Sequence, residues 1–266
     1  MSAMTAQYVR IERLGAIERI TLARPEKRNA QNKAMLESLD AALKRAGSDD
    51  EVRAVIVAAD GPDFSAGHDQ KELGDDYLQR PTVERYQFED RYYLEIALSM
   101  RNLAKPVIVQ AQGACIAGGF MIAAMADILI ASEDAYFSDP TVLLGSAAVE
   151  VLFHPWALGD RLARDILFTG RKLTAIEAHQ RGFVARLVVR DELESTALVI
   201  AETIAKAPPF AVQMMKRSLN RNLDAQGFSV MMSAHFDTHQ LVHTASKSSA
   251  SAPDRLANFK NLVAGS

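Results

Sequence analysis

The chain has 266 residues, with 30 Lys+Arg against 33 Asp+Glu for a formal net charge of −3, and 48% of its residues are apolar. These values allow one large domain, or a core with an appendage, and exclude disordered, collagen-like and low-complexity chains. The faintly acidic balance lacks the basic footprint of a nucleic-acid binder, and the single cysteine, Cys115, excludes an internal disulfide or a multi-cysteine zinc site.

The opening MSAMTAQYVR carries neither a secretory nor a transit pattern. No apolar run reaches the ~18–20 residues a membrane helix needs, so a cytoplasmic protein is expected. Tyr8 to Leu14 and Ile17 to Leu22 read as a hairpin across Gly15. After RPEKRN, the helical spacing of Met35, Leu39, Leu43 and Ala46 predicts a helix from Lys33, with Asn32 as N-cap. A buried strand, Ala54 to Ala58, leads into the polar loop GPDFSAGHD. One long helix is predicted from Val83 to Ala104, with Tyr86, Tyr93, Ile96, Met100 and Leu103 on one face, then a strand at Val107 to Val109. GACIAGG reads as a loop before a helix from Phe120 to Ala126, with strands at 127–131, 135–137 and 183–189 and a helix at 161–169. The remainder is helical, in segments 192–207, 209–221, 228–244 and 254–263.

Repeated strand and helix units followed by a helical tail predict an α/β core with a C-terminal helical segment, divided at about residue 200. A dinucleotide fold needs G-x-G-x-x-G after its first strand. Gly113, Gly118 and Gly119 have the wrong spacing and come too late. Two loops, Phe64-Ser-Ala-Gly-His-Asp69 and Ala117-Gly-Gly119, each follow a strand and carry glycine where backbone N–H groups can be exposed. Two such donors converging on one point would form an oxyanion hole.

RPEKRNA, FSAGHDQKEL, KPVIVQAQGACIAGGF, ADILIASEDAYFSDP, LLG and ILFTGRKLTAIEAHQRGFVARLV, in that order, resemble the enoyl-CoA hydratase/isomerase (crotonase) superfamily. The resemblance implies a spiral of repeated ββα units, residues 1–200, and a helical segment, 201–266, that makes trimers or hexamers. It also implies an acyl-CoA thioester substrate, with coenzyme A entering as part of the substrate and no separate cofactor. The thioester oxygen would accept from the His68 and Gly118 amides, so the His68 imidazole need do no chemistry. Lys27, Arg28 and Lys71 would meet CoA phosphates, Ser65, Ala66 and Asp69 would line the adenine and pantetheine path, and Phe259 and Lys260 would reach a neighbouring subunit's CoA. Tyr86, Tyr93, Phe120 and Trp156 are the aromatic candidates for an acyl pocket.

A hydratase of this family uses two glutamates, at positions that are Met121 and Thr141 here. Neither a thioether nor a threonine hydroxyl has a pKa suited to general acid–base catalysis. Glu150 falls within a residue of the family's third acid/base locus. Set among Ala, Val, Leu and Phe, its pKa should be raised; the alternative is an ion pair with an arginine such as Arg161. In a helical segment His154 would lie on the same face as Glu150 and share its proton, and Asp139 is a further carboxylate nearby. The expectation is an oxyanion hole with a single acid/base, suited to isomerisation or C–C cleavage. A hydratase using Glu150 or Asp139, and a non-catalytic acyl-CoA binder, are the alternatives. His235, His239 and His243 recur at i, i+4 and i+8, and with no ligand from a second element in view they read as a helix face at a subunit contact, with no metal.

Overall fold

The run AVIVAA sets the architecture. Val55 and Val57 face one apolar cluster, and Ala54 and Ile56 face another. A strand buried on both sides belongs to the interior of a parallel sheet covered by helices on each face. The structure, a computed structural model, describes residues 8–74 and 77–246.

The strands are β1 (Val9–Leu14), β2 (Ile17–Leu22), β3 (Ala54–Ala59), β4 (Val107–Ala111), β5 (Ala114–Ile116), β6 (Ile128–Ser132), β7 (Tyr136–Ser138), β8 (Leu173–Thr174) and β9 (Arg186–Val188). The α-helices are α1 (Lys33–Ser48), α2 (Gln70–Leu73), α3 (Thr82–Glu89), α4 (Glu95–Asn102), α5 (Gly118–Ala124), α6 (His154–Leu158), α7 (Asp160–Thr169), α8 (Ala175–Gln180), α9 (Leu193–Ala205), α10 (Pro209–Ala225) and α11 (Phe228–Ser246). Six strands form one sheet in the order β1-β2-β3-β4-β6-β9, and β5-β7-β8 form a second. The β1–β2 hairpin is antiparallel, and every other pair in the large sheet is parallel. Helices α1, α4 and α5 cover one face of the large sheet, and Leu193, Ala197 and Ala201 of α9 cover the other.

The hairpin, the helix from Lys33 and its cap stand as the sequence predicts. Asn32 Oδ1 accepts from the Met35 amide at 2.9 Å, while its Nδ2 donates to Glu72 at 2.9 Å. Two expectations need correction. GACIAGG is not all loop, because Ala114–Ile116 pair in parallel with Tyr136–Ser138. The long helix predicted from Val83 to Ala104 is α3 and α4 joined by a π-helical turn, Asp90–Leu94. The wider turn inserts an extra residue and re-aims the side chains after it, a device common at functional sites. The expected helix at 254–263 lies outside the described residues.

Asn32→Ala removes a buried cap and a tie to α2, so we expect a loss of about 1–2 kcal/mol, read as a lower urea midpoint at unchanged m-value.

Candidate active site

Three loop segments are laced together by backbone hydrogen bonds. Ser65 N donates to Ala114 O and Ile116 N returns to Ser65 O; Gln31 N donates to Gly67 O and Asp69 N returns to Gln31 O. Residues 65–69 therefore lie between 28–31 and 114–117. Ala117 N donates to Ser138 O at 2.8 Å, and Ala117 takes φ 47°, ψ −112°, a left-handed conformation that costs an L-residue energy. The turn opens α5, whose first amide belongs to Gly118 and has no partner within the helix. Neither the Gly118 nor the His68 amide has a hydrogen-bond acceptor among the described residues. The approach is too close for side chains: a Cβ on Gly118 would lie 2.5 Å from both Gln31 Oε1 and His68 Cε1, and one on Gly119 would lie 2.5 Å from Ser65 O.

The His68 imidazole is part of this site, which the resemblance did not require. It stacks on Tyr93 with ring centroids 3.6 Å apart, and its Nε2 lies 3.1 Å from Glu150 Oε2. Tyr93 comes from the π-helical turn. Glu150 is 3% exposed and is followed by Val151 and Phe153, both buried. It does not have the raised pKa that its apolar neighbours in sequence suggest. Burial pushes its carboxyl up, but the His68 and His239 imidazoles outweigh that and hold it below the usual range. Arg161 is exposed on α7 and is not its partner.

Helix α11 lies across the segment that carries Glu150. A carbonyl only accepts, so His235 Nε2–H donates to Val149 O at 2.8 Å and His239 Nδ1–H to Ala148 O at 3.0 Å. His239 Nε2 then points between two carboxylates, 3.3 Å from Glu89 Oε2 and 3.6 Å from Glu150 Oε1. Burial would lower the His239 pKa, yet the two carboxylates raise it to about 9. Glu89, 1% exposed, accepts from Tyr77 Oη at 2.7 Å and from Gln240 Nε2. Burial raises its carboxyl and the imidazoles of His239 and His243 overcome that, leaving it below the usual range. His235 and His239 are thus buried against the chain's own core rather than left as a contact face. Glu89 was missed in the sequence, although a signal existed: it lies three residues after Tyr86 and four before Tyr93, a carboxylate on the apolar stripe of the predicted helix.

His154 does not partner Glu150. Residues 145–153 are irregular and α6 begins at His154, so no helix aligns the two. His154 stacks on Phe153, with centroids 3.8 Å apart, and its Nε2 lies 3.4 Å from Asp139. Burial depresses its pKa to about 3. Asp139 accepts from the Thr141 amide, the Thr141 hydroxyl and the Val149 amide, which pins the turn carrying Glu150. Met121 is buried and Phe120 belongs to an aromatic core with Phe137, Phe153 and Phe183. Trp156 packs on Phe228, and Tyr86, half exposed, packs on Phe236.

Among the residues expected at CoA, Lys27 and Lys71 are exposed. Arg28 is tied to Asp63 at 2.7 Å and takes φ 53°. Ser65 Oγ donates to Asn29 O and Ala66 N to Arg28 O. Asp69 caps α2 and pairs with Arg24 at 2.5 Å. The Ser65 and Asp69 side chains therefore hold the loop itself. Phe259 and Lys260 lie outside the described residues.

The His68 and Gly118 amides, both without an acceptor among the described residues, and the buried Glu150 carboxylate thus lie on a fold of repeated strand and helix units with a C-terminal helical stretch. The enoyl-CoA hydratase/isomerase family model matches residues 12–258, and the chain belongs to that family of enzymes. It is 39% identical over 257 residues to EchA13 of Mycobacterium tuberculosis, whose name assigns it to the enoyl-CoA hydratases, covering 89% of this chain and 81% of that one. A probable enoyl-CoA hydratase from Mycobacterium thermoresistibile superposes with TM-score 0.86 at 44% identity, over 91% of this chain and 98% of that one. An enoyl-CoA hydratase/isomerase from Xanthobacter autotrophicus Py2 gives TM-score 0.88 at 31% identity, over 98% and 97%. No helix among the described residues is long and apolar enough to cross a membrane.

His154 is neutral in the fold down to about pH 3, whereas the unfolded imidazole protonates near 6.5. The unfolded state therefore gains protons first, and stability present above pH 6.5 is lost as pH falls, by about 2 kcal/mol at pH 5. In His154→Phe, denaturation series at pH 7 and pH 5 should differ by that much less than in the parent chain.

Proposed function

We propose that the protein activates an acyl-CoA thioester by offering its carbonyl oxygen the His68 and Gly118 amides, and that Glu150 is the single acid/base that moves a proton on the resulting enolate. The observation that carries this reading is the position of Glu150, 3.1 Å from the imidazole of the residue whose amide supplies the oxyanion donor. Negative charge that develops on the thioester oxygen is met by two preorganised dipoles in a site where little water competes, an arrangement worth several kcal/mol. Glu150, as a carboxylate beside His68 and His239, takes the α-proton and returns it elsewhere on the acyl chain.

Water addition is the weaker fit. It needs one group to activate water and another to protonate the α-carbon. The two positions that hold glutamates in a hydratase hold a buried thioether, Met121, and a hydroxyl, Thr141, already donated to Asp139. Asp139 has both oxygens committed to the 139–149 turn. Double-bond migration or C–C cleavage, which needs one proton carrier, is favoured. The exposed cations Lys27 and Lys71, with Arg28 once released from Asp63, are assigned to the CoA phosphates.

The segment 201–266 is proposed to assemble trimers, and dimers of trimers. Support comes from large apolar side chains left in solvent on α10 and α11, among them Phe210, Met215, Leu219, Val230 and Leu241. The opposite face of α11 belongs to the active site of its own chain.

Deuterium exchange at the α-carbon of saturated and unsaturated acyl-CoAs tests the proton step directly. The parent protein should exchange, and Glu150→Gln should lose about 10²–10⁴ of the rate while still binding the thioester. Rapid hydration of crotonyl-CoA that survives Glu150→Gln would overturn the single-base reading. Binding without exchange or turnover across the panel would make the protein an acyl-CoA binder. Gly118→Ala, which drives a methyl into Gln31 and His68, should cost about 10²-fold or more in kcat.

A further inference from the structure

In the sequence the histidine stripe of α11 lacks a ligand from a second element. Glu89 of α3 supplies one. Its Oε2 lies 3.3 Å from His239 Nε2 and its Oε1 lies 3.4 Å from His243 Nδ1, and one ligand atom from each of the three residues lies within 4.8 Å of the others.

Without a cation the group is a loosely spaced ion-paired cluster. Charge-assisted N–H···O bonds are about 2.7–2.9 Å long, and these separations are longer. Neither His239 Nε2 nor His243 Nδ1 has a hydrogen-bond partner among the described residues, although both atoms are buried.

The outward atoms of the three residues are also engaged in the way metal ligands require. His239 Nδ1–H is fixed on Ala148 O at 3.0 Å, which aims Nε2 inward; a bound cation would displace the proton that Nε2 carries between the carboxylates. His243 Nε2 meets Ser146 Oγ at 3.0 Å, an acceptor that leaves the Nδ1 lone pair facing Glu89. The carboxylate is held by Tyr77 Oη and Gln240 Nε2. Such outer contacts set tautomer and orientation for bound metals. His243 is the most accessible of the three, with 14% of its side chain exposed, and gives an ion a way in.

We propose that Glu89, His239 and His243 form a binding site for one borderline divalent cation, matched best by zinc, that ties α3 to α11 beside Glu150. Two imidazoles and one carboxylate suit such an ion, whereas magnesium and calcium prefer all-oxygen shells. The proposal is independent of the thioester reading, because it concerns occupancy rather than turnover.

The test uses the full-length protein freed of metal by a chelator. Titration with Zn²⁺ in a calorimeter should show one equivalent bound, with Mg²⁺ giving none. His243→Ala and Glu89→Gln should each weaken that binding at least a hundredfold, and His179→Ala, which removes an exposed histidine elsewhere, should leave it unchanged. Co²⁺ added to the unaltered protein should give visible d–d bands of four-coordinate intensity, a readout that does not depend on any variant folding. Absence of one-equivalent Zn²⁺ binding, absence of the Co²⁺ bands, or binding indifferent to both ligand substitutions would overturn the proposal.

Discussion

Two carboxylates, Glu89 and Glu150, are buried within reach of a single imidazole nitrogen. An ionised carboxylate in an apolar shell is costly unless it is paired and hydrogen-bonded. Each of these lies below its ordinary pKa because imidazoles stand beside it. Much of the local structure answers that requirement. Helix α11 has to cross the 145–153 segment to deliver His239, the π-helical turn has to set Tyr93 against the His68 ring, and Tyr77 and Gln240 have to reach the far side of Glu89. Removing any one imidazole would leave a buried charge with too few partners.

The side of the site that carries the Gly118 amide is governed by a different constraint, closeness of backbones. Three loop segments approach so tightly that Gly118 and Gly119 have no room for a Cβ, and Ala117 accepts a left-handed conformation to turn α5 into place. In the proposed mechanism rigid backbone holds the electrophile, while Glu150, on an irregular segment covered by α11, holds the proton. The two halves meet at His68, whose amide belongs to the first and whose imidazole belongs to the second.

Features that depend on local chemistry were legible in the sequence. Asn32 before an amphipathic run gave its cap, AVIVAA gave a strand buried on both faces, and the glycines of the two loops marked where backbones approach closely. Resemblance pointed to Glu150, which the structure buries beside His68. What stayed hidden depends on tertiary contact. Three residues, Ala114–Ile116, form a strand only because Tyr136–Ser138 lie beside them. The pKa of Glu150 could not be inferred from its neighbours in sequence, because the groups that decide it come from residues 68 and 239. The stripe on α11 was visible as a periodicity, but its facing partner, Glu89, sits on a helix 150 residues earlier.

Helix α11 therefore gives the chain a timing property. The sheet, the glycine loops and Glu150 are all synthesised by the time α9 emerges from the ribosome. Until His239 and Gln240 follow, Glu150 has only His68 beside it, and Glu89 lacks its α11 contacts. The nascent protein thus passes through a stage in which its sheet can form while Glu89 and Glu150 are still open to water, and the packing of α11 buries both carboxylates and supplies their imidazole partner together.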